Sequence, residues 1–325
     1  AAHAENEIRE LADLMQIPVI TTMMGISVFP DDDQLFCGMI GTHGVKMANA
    51  AVNECDVLFL VGARVGDRAV KTPLALEKTT KIIHIDIDPA EIGKNIGADL
   101  PLVGDAKLVL QQMTELAKPM KHDEWIAHIK TLGGERKYVE PAKGTVNPRV
   151  FIDRLAKKMP ANVTVVADVG QNQIWTCTEY KFRKEGRLLT SGGMGTMGYS
   201  VPAAIGAKMA DNSRATVAIC GDGAFQMSFM ELATAVQFGV DIKVVVMTNN
   251  RLGMVRELQT NGYHDRQTAV FLDGSPDFIK LAEAYGIPAM RVYDDDTMDK
   301  GIEMLAEHKG ICLVEVVVDK DMPTL

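Results

Sequence analysis

The sequence predicts an α/β protein of two domains, each a parallel sheet with helices on both faces. Short apolar runs flanked by polar residues recur at 17–21, 57–61, 81–87, 163–167, 215–220, 242–247, 289–292 and 311–318, as buried strands do. Stretches with helical spacing of apolar residues separate or follow them, at 45–53, 106–116, 151–159, 227–236, 278–285 and 298–308. Alternation of this kind implies parallel strands joined by right-handed helical crossovers. The chain has 325 residues, 47% of them hydrophobic and 24% charged, enough for two cores.

Taken in order, the chain opens Ala1-Ala-His-Ala4, which is not a natural initiation and reads as a fragment or a processed product. A helix with the apolar stripe Ile8, Leu11, Ala12 and Met15 follows. The first domain is expected over 1–118. Residues 119–146, rich in charge and containing Gly133-Gly134 and Pro141, read as a linker with a short helix near Trp125. The second domain is expected over 147–325.

Three spots in the first domain suit a nucleotide. Gly41-Thr-His43-Gly44 precedes a helix, whose free N–H groups favour an anion. Gly62-Ala-Arg64-Val-Gly-Asp-Arg68 follows a strand and offers two cations. Asp86 ends a strand, the usual place for a carboxylate that takes ribose hydroxyls. Each spot also has an ordinary reading, as a loop histidine, surface arginines and a strand-end turn.

The most informative stretch of the second domain is 215–250. The buried run 215–220 leads into Gly221-Asp222-Gly223. A helix is expected from the stripe Met227, Met230, Leu232, Ala233 and Val236, ended by Gly239. A second buried strand then runs to Asn249-Asn250. Asp222 and Asn249 thus stand just past the carboxyl ends of neighbouring strands, where open α/β sheets bind ligands. One carboxylate, one amide oxygen and loop carbonyls are hard donors suited to Mg²⁺ with a phosphate, and the glycines let the backbone approach it. Gly-Asp-Gly by itself is also an ordinary turn.

Composition narrows the class further. A formal charge of −9 argues against a nucleic-acid partner. No apolar run reaches the ~18 residues of a membrane helix. Five scattered cysteines with no Cys-x-x-Cys, and no signal peptide, point to the cytoplasm and away from zinc or disulfides.

The Gly221–Asn250 arrangement resembles the signature of thiamine-diphosphate (ThDP) enzymes. The runs Ser191-Gly-Gly-Met-Gly-Thr-Met-Gly-Tyr-Ser-Val-Pro-Ala-Ala-Ile-Gly-Ala207 and Leu252-Gly-Met-Val255 resemble the acetolactate synthase (acetohydroxyacid synthase) large subunit more closely. The resemblance covers nearly the whole chain and implies a central FAD-type domain followed by a ThDP diphosphate-binding domain. It implies Asp222, Asn249 and the Arg251 carbonyl as Mg²⁺ ligands. Gly170, Gln171, Asn172, Gly221 and Gly223 fall at the diphosphate, and Gly195 at the aminopyrimidine. Met197 becomes the wedge that bends the cofactor into a V; core filler is its plainer reading. FAD contacts are implied at Gly41, His43, Gly62, Arg64, Asp86 and Asp105.

The implied activity is carboligation of pyruvate with a second 2-oxo acid, giving 2-acetolactate or 2-aceto-2-hydroxybutyrate for branched-chain amino-acid synthesis. A homodimer or homotetramer is implied, and a small regulatory subunit is allowed. Another ThDP-dependent decarboxylase or carboligase, or a catalytically silent binding fragment, are the alternatives. Three departures stand out. Val65-Gly-Asp-Arg68 replaces the usual Phe-Asp-Asp-Arg, Asn172 stands where His is common, and Leu258 replaces a Trp that lines the second-substrate pocket and herbicide channel. The family's catalytic Glu, carried by an N-terminal pyrimidine-binding domain, has no counterpart here, so the chain alone is expected to be inactive. Residues 259–274 read as a mobile loop over the site.

Overall fold

The computed structural model describes residues 2–134 and 138–325 and divides the chain into two compact units, 1–136 and 137–325. Both are α/β, with parallel strands flanked by helices. In the first unit, β1 (Val19–Thr21) pairs with β2 (Phe36–Met39), and β3 (Val57–Val61), β4 (Lys81–Asp86) and β5 (Leu100–Val103) form a three-stranded sheet. Both faces of β4 are covered. Ile82 packs with Val52, Leu60 and Ile96, whereas Ile85, three residues on and so on the opposite face, packs with Leu11 and Leu110.

The stretch expected as a linker behaves differently at its start. Helix Asp123–Leu132 packs on helix Lys46–Glu54, and its Ile129 is buried with Cys37 and Ala51 beside Trp125. An apolar stripe that strong draws the segment into the first unit. The middle of the expected linker, 135–137, lies outside the described residues.

The second unit is a six-stranded all-parallel sheet ordered β10-β11-β9-β8-β6-β7. Its strands are β6 (Thr164–Ala167), β7 (Arg187–Thr190), β8 (Thr216–Gly221), β9 (Lys243–Thr248), β10 (Ala289–Val292) and β11 (Cys312–Val317). Strands β6, β8 and β9 are buried along nearly their whole length, which is why they read as unbroken apolar runs rather than alternating ones. The chain leaves β6 towards β7 and returns past it to β8, so the order reverses between β6 and β8. Loops at such a reversal diverge and open a crevice at the strands' carboxyl ends.

Two expectations need correcting. The helix after Gly223 is broken into Asp222–Gln226, a 3₁₀ turn at Phe229–Glu231, and Leu232–Gln237. Of its expected stripe only Leu232 is buried; Met227, Met230 and Val236 are exposed, and Phe225 and Ala235 face the core instead. The break shifts the phase of the helical repeat. Gly239, at φ +61°, ends the element as expected. Residues 259–274 are not a free loop. The helix Gly253–Gly262 runs into them, Gln259 exchanges hydrogen bonds with the backbone of Thr268, and the return segment bridges Phe271 to Arg251 with Val270 fully buried.

Candidate active site

The crevice of the second unit gathers most of the predicted residues. Asp222 leaves β8 at its carboxyl end and is 1% exposed. One carboxylate oxygen accepts from the Gly223 N–H at 2.8 Å. The other accepts from Asn250 at 2.6 Å and Asn249 at 3.2 Å, so Asp222 pins the loop that follows β9. Asn250 takes left-handed backbone there, at φ +54°. Among the described residues no Lys, Arg or His pairs with Asp222. Burial therefore pushes its carboxyl up to about 6, against the pull of those backbone donors.

Asn249 is oriented at both ends of its amide. Its Oδ1 accepts from the Arg251 N–H at 3.1 Å, and its Nδ2 donates to Gln171 Oε1 at 3.1 Å. The Arg251 guanidinium turns away to Asp273 at 2.7 Å and lies over the Phe271 ring. Gln171 starts the helix Gln171–Glu179 and is 4% exposed. Gly170 precedes it at φ +146°, in the left-handed half of backbone space that only glycine enters without strain. A Cβ there would also stand 2.6 Å from Asn172 Oδ1. Asn172 is 2% exposed, and its Nδ2 donates to the carbonyls of Asp168 at 2.8 Å and Ile219 at 3.2 Å. Both amide protons are thus spent on strand ends.

The glycine-rich loop reaches the crevice from the other side. Met197 is half-buried and packs against the core cluster that contains Ala224 and Phe225; its methyl would touch a Cβ on Gly223 at 3.4 Å. Gly195 is exposed at φ +66° and donates to the Ser191 carbonyl. What holds this loop is Asp168, a role that sequence reasoning missed. It is fully buried at the end of β6, accepting from Val169 at 2.8 Å and Gly198 at 3.0 Å on one oxygen and from Ser200 at 2.8 Å on the other. A carboxylate directly after a buried strand was the available signal. Leu258, on helix Gly253–Gly262, is 62% exposed within this unit.

The six candidates of the first unit share its strand ends. Gly62 follows β3 and donates to Ile85 O at 2.8 Å; Gly104 donates to Asp86 O at 2.9 Å, so Gly62, Asp86 and Asp105 stand side by side. Asp86 is 9% exposed, and its carboxylate accepts from Asp88 N at 2.9 Å. Asp105 caps the helix Ala106–Leu116, accepting from Lys107 and Leu108, which is a sufficient structural reason for it. Gly41 and His43 lie in the loop after β2. Gly41 sits at φ +119° with no room for a Cβ against the Arg68 carbonyl, and Thr42 donates to that same carbonyl, which joins the two loops. Arg64 is exposed, with its carbonyl held by Asn95.

A buried carboxylate with no counter-ion among the described residues, a neutral amide oxygen beside it and glycines at the reversal of a parallel sheet have the chemistry to hold a cation and a phosphate. Comparison with known proteins gives that site its class. The chain matches the thiamine pyrophosphate enzyme central domain over residues 1–113 and the thiamine pyrophosphate enzyme C-terminal TPP binding domain over 168–316. It belongs to the thiamine pyrophosphate (that is, thiamine diphosphate) enzyme family.

Within that family it is similar to large subunits of one enzyme. It is 40% identical to a probable acetolactate synthase large subunit of Methanocaldococcus jannaschii, over 97% of this chain and 55% of that protein. It is 36% identical to the acetolactate synthase large subunit of Lactococcus lactis, over 96% and 54%. It is 38% identical to an acetolactate synthase of Mycobacterium bovis, over 97% and 53%. The chain spans about half the length of the curated relatives it matches. No helix among the described residues is long and apolar enough to cross a membrane.

Proposed function

We infer that the second unit holds Mg²⁺ and the diphosphate of ThDP, and that the chain is the central and diphosphate-binding part of an acetolactate synthase. The observation that carries this reading is Asp222, a carboxylate 1% exposed with no cationic side chain beside it among the described residues. A buried unpaired charge costs several kcal/mol, and a divalent cation removes that penalty. Among the described residues no three His, Cys, Asp or Glu side chains cluster. The family resemblance implies Asp222, the Asn249 oxygen and the Arg251 carbonyl as the protein's ligands, which with phosphate oxygens make the mixture Mg²⁺ prefers.

When bound, ThDP supplies the nucleophilic carbon that joins two 2-oxo acids with loss of CO₂. The protein's part is placement. Backbone N–H groups at the start of helix Gln171–Glu179 would meet the diphosphate, and the glycines at 221 and 223 would let it come close to the main chain, the Gly223 N–H itself staying on Asp222. Asp168 fixes the loop that presents Met197 and Gly195 to the rest of the cofactor. Leu258 lines the pocket of the second 2-oxo acid. Gly41, His43, Gly62, Arg64, Asp86 and Asp105 hold FAD in the first unit. The working enzyme is a homodimer or homotetramer.

The 325-residue chain by itself is expected to make no acetolactate, since the resemblance puts the family's catalytic glutamate on a pyrimidine-binding domain, outside the two domains the chain matches. Product analysis tests the whole reading. A polypeptide joining this chain to a pyrimidine-binding domain, given pyruvate, ThDP and Mg²⁺, yields 2-acetolactate; acetaldehyde as the sole product assigns it to the decarboxylases instead.

A further inference from the structure

The segment Asp319–Leu325 lies across the second unit as a strap. Trp175 Nε1 donates to Pro323 O at 3.1 Å, Arg149 Nη2 to Thr324 O at 2.6 Å, and Arg256 Nη1 meets Asp321 at 3.5 Å. Thr324 is 3% exposed. Its N–H donates to Glu257 Oε1 at 2.7 Å and its hydroxyl to Glu257 Oε2. Gln171 Nε2 donates to that hydroxyl at 3.1 Å and to Met322 O at 2.9 Å. Gln171 Oε1 accepts from Asn249 Nδ2 at 3.1 Å.

This chain of bonds has a direction, set at one end. A carboxylate only accepts, so the Thr324 hydroxyl must give its proton to Glu257. Its oxygen is then left as an acceptor, as is the Met322 carbonyl, and both demand the NH₂ side of Gln171. Gln171 must therefore present its oxygen to Asn249, and Asn249 must turn its own NH₂ to Gln171. The Asn249 oxygen is thereby committed to the side away from Gln171. The Arg251 N–H takes one of its lone pairs, and one remains.

We propose that Glu257 and Thr324, with Met322, are positioning residues that fix the amide direction of Gln171 and so aim the Asn249 oxygen at the metal. The proposal rests on the reading of Asn249 as a Mg²⁺ ligand. It ties the helix that carries Leu258 to the cation site through residues 67 positions away in sequence.

The test is calorimetric titration of ThDP into the 325-residue chain at a series of Mg²⁺ concentrations, with melting temperature recorded in parallel. Thr324→Val keeps the shape and removes the hydroxyl; Thr324→Ser restores it. Glu257→Gln keeps the shape and lets the end of the relay donate as well as accept. Each variant leaves the Met322 carbonyl as the one remaining anchor of the amide direction, so Thr324→Val and Glu257→Gln are each expected to raise the Mg²⁺ half-saturation about fivefold, the equivalent of the one hydrogen bond lost or opposed. Thr324→Ser should return to the parent value, and ThDP affinity at saturating Mg²⁺ should be unchanged throughout. An unchanged Mg²⁺ half-saturation in both Thr324→Val and Glu257→Gln, with only a lower melting temperature, overturns the proposal and leaves the strap a structural brace. A parent chain that binds ThDP equally with and without Mg²⁺ overturns the metal reading itself.

Discussion

Gly253→Ala sets two physical effects against each other. Gly253 opens the helix Gly253–Gly262, and a methyl group built on it would overlap the side-chain amide of Gln171, with Cγ at 3.0 Å. Helix propensity alone favours the alanine by up to ~1 kcal/mol. The overlap works the other way. Gln171 is 4% exposed and its amide is held by Met322 O, Thr324 Oγ1 and Asn249 Nδ2. Displacing it breaks three buried hydrogen bonds, each contributing about 1 kcal/mol, for a net loss of about 2 kcal/mol after the propensity gain. For a domain of this size that lowers the melting temperature by about 4–8 °C. Differential scanning calorimetry of the metal-free protein measures it. A melting temperature equal to or above the parent's would show that Gln171 does not run over Gly253 as described.

Asp222→Ala should abolish Mg²⁺-dependent ThDP binding, since it removes the one charged ligand, whereas Asn249→Ala should weaken it less; calorimetric titration of both ranks them, and the reverse order would contradict the assignment. The pH dependence of the metal-free fold follows from the same carboxyl, which burial raises from 3.8 to about 6. The folded state then holds a proton more tightly than the unfolded chain, so about 3 kcal/mol of stability is fully present below about pH 4 and is lost as pH rises through about 6. Melting curves in a chelator should show that loss, and saturating Mg²⁺ with ThDP should suppress it at the upper end of the range. Leu258→Trp, in a complete enzyme, should raise the preference for 2-oxobutyrate over pyruvate as second substrate and strengthen sulfonylurea-type inhibition. An added flat wall against one methylene is worth ~1–3 kcal/mol. Leu258 is 62% exposed in this unit, so the larger ring needs no core space, and an unchanged product ratio would remove it from the pocket.

The meeting of Asp222 and Asn249 at neighbouring strand ends was legible because its geometry is nearly local. Asp222 and Asn249 each follow a strand buried along all or nearly all of its length, β8 and β9 are neighbours, and one short crossover joins them. The strands that were not read are short or lie at an edge. β7 is the four-residue Arg187–Thr190 at the sheet's end, half-exposed, and β5 contains Pro101 and leaves Leu100 and Val103 exposed. Periodicity was misread between Met227 and Val236 because it assumes one unbroken helix, and the break after Gln226 resets the phase. Asp168 and Thr324 escaped for a different reason. Their partners, Gly198, Ser200, Gln171 and Glu257, lie 30 to 153 residues away, and no local pattern encodes such pairings.

Asp222 and its neighbours are proposed to hold ThDP through Mg²⁺. The most direct measurement is the melting temperature of the 325-residue chain with ThDP alone, Mg²⁺ alone, and both. A ligand at about a hundred times its dissociation constant stabilises the native state by ~2.7 kcal/mol. In a domain of this size that is a rise of about 5–10 °C. That rise is expected only with both together, and none of it in Asp222→Ala. An equal rise with ThDP alone, or none with both, would contradict it.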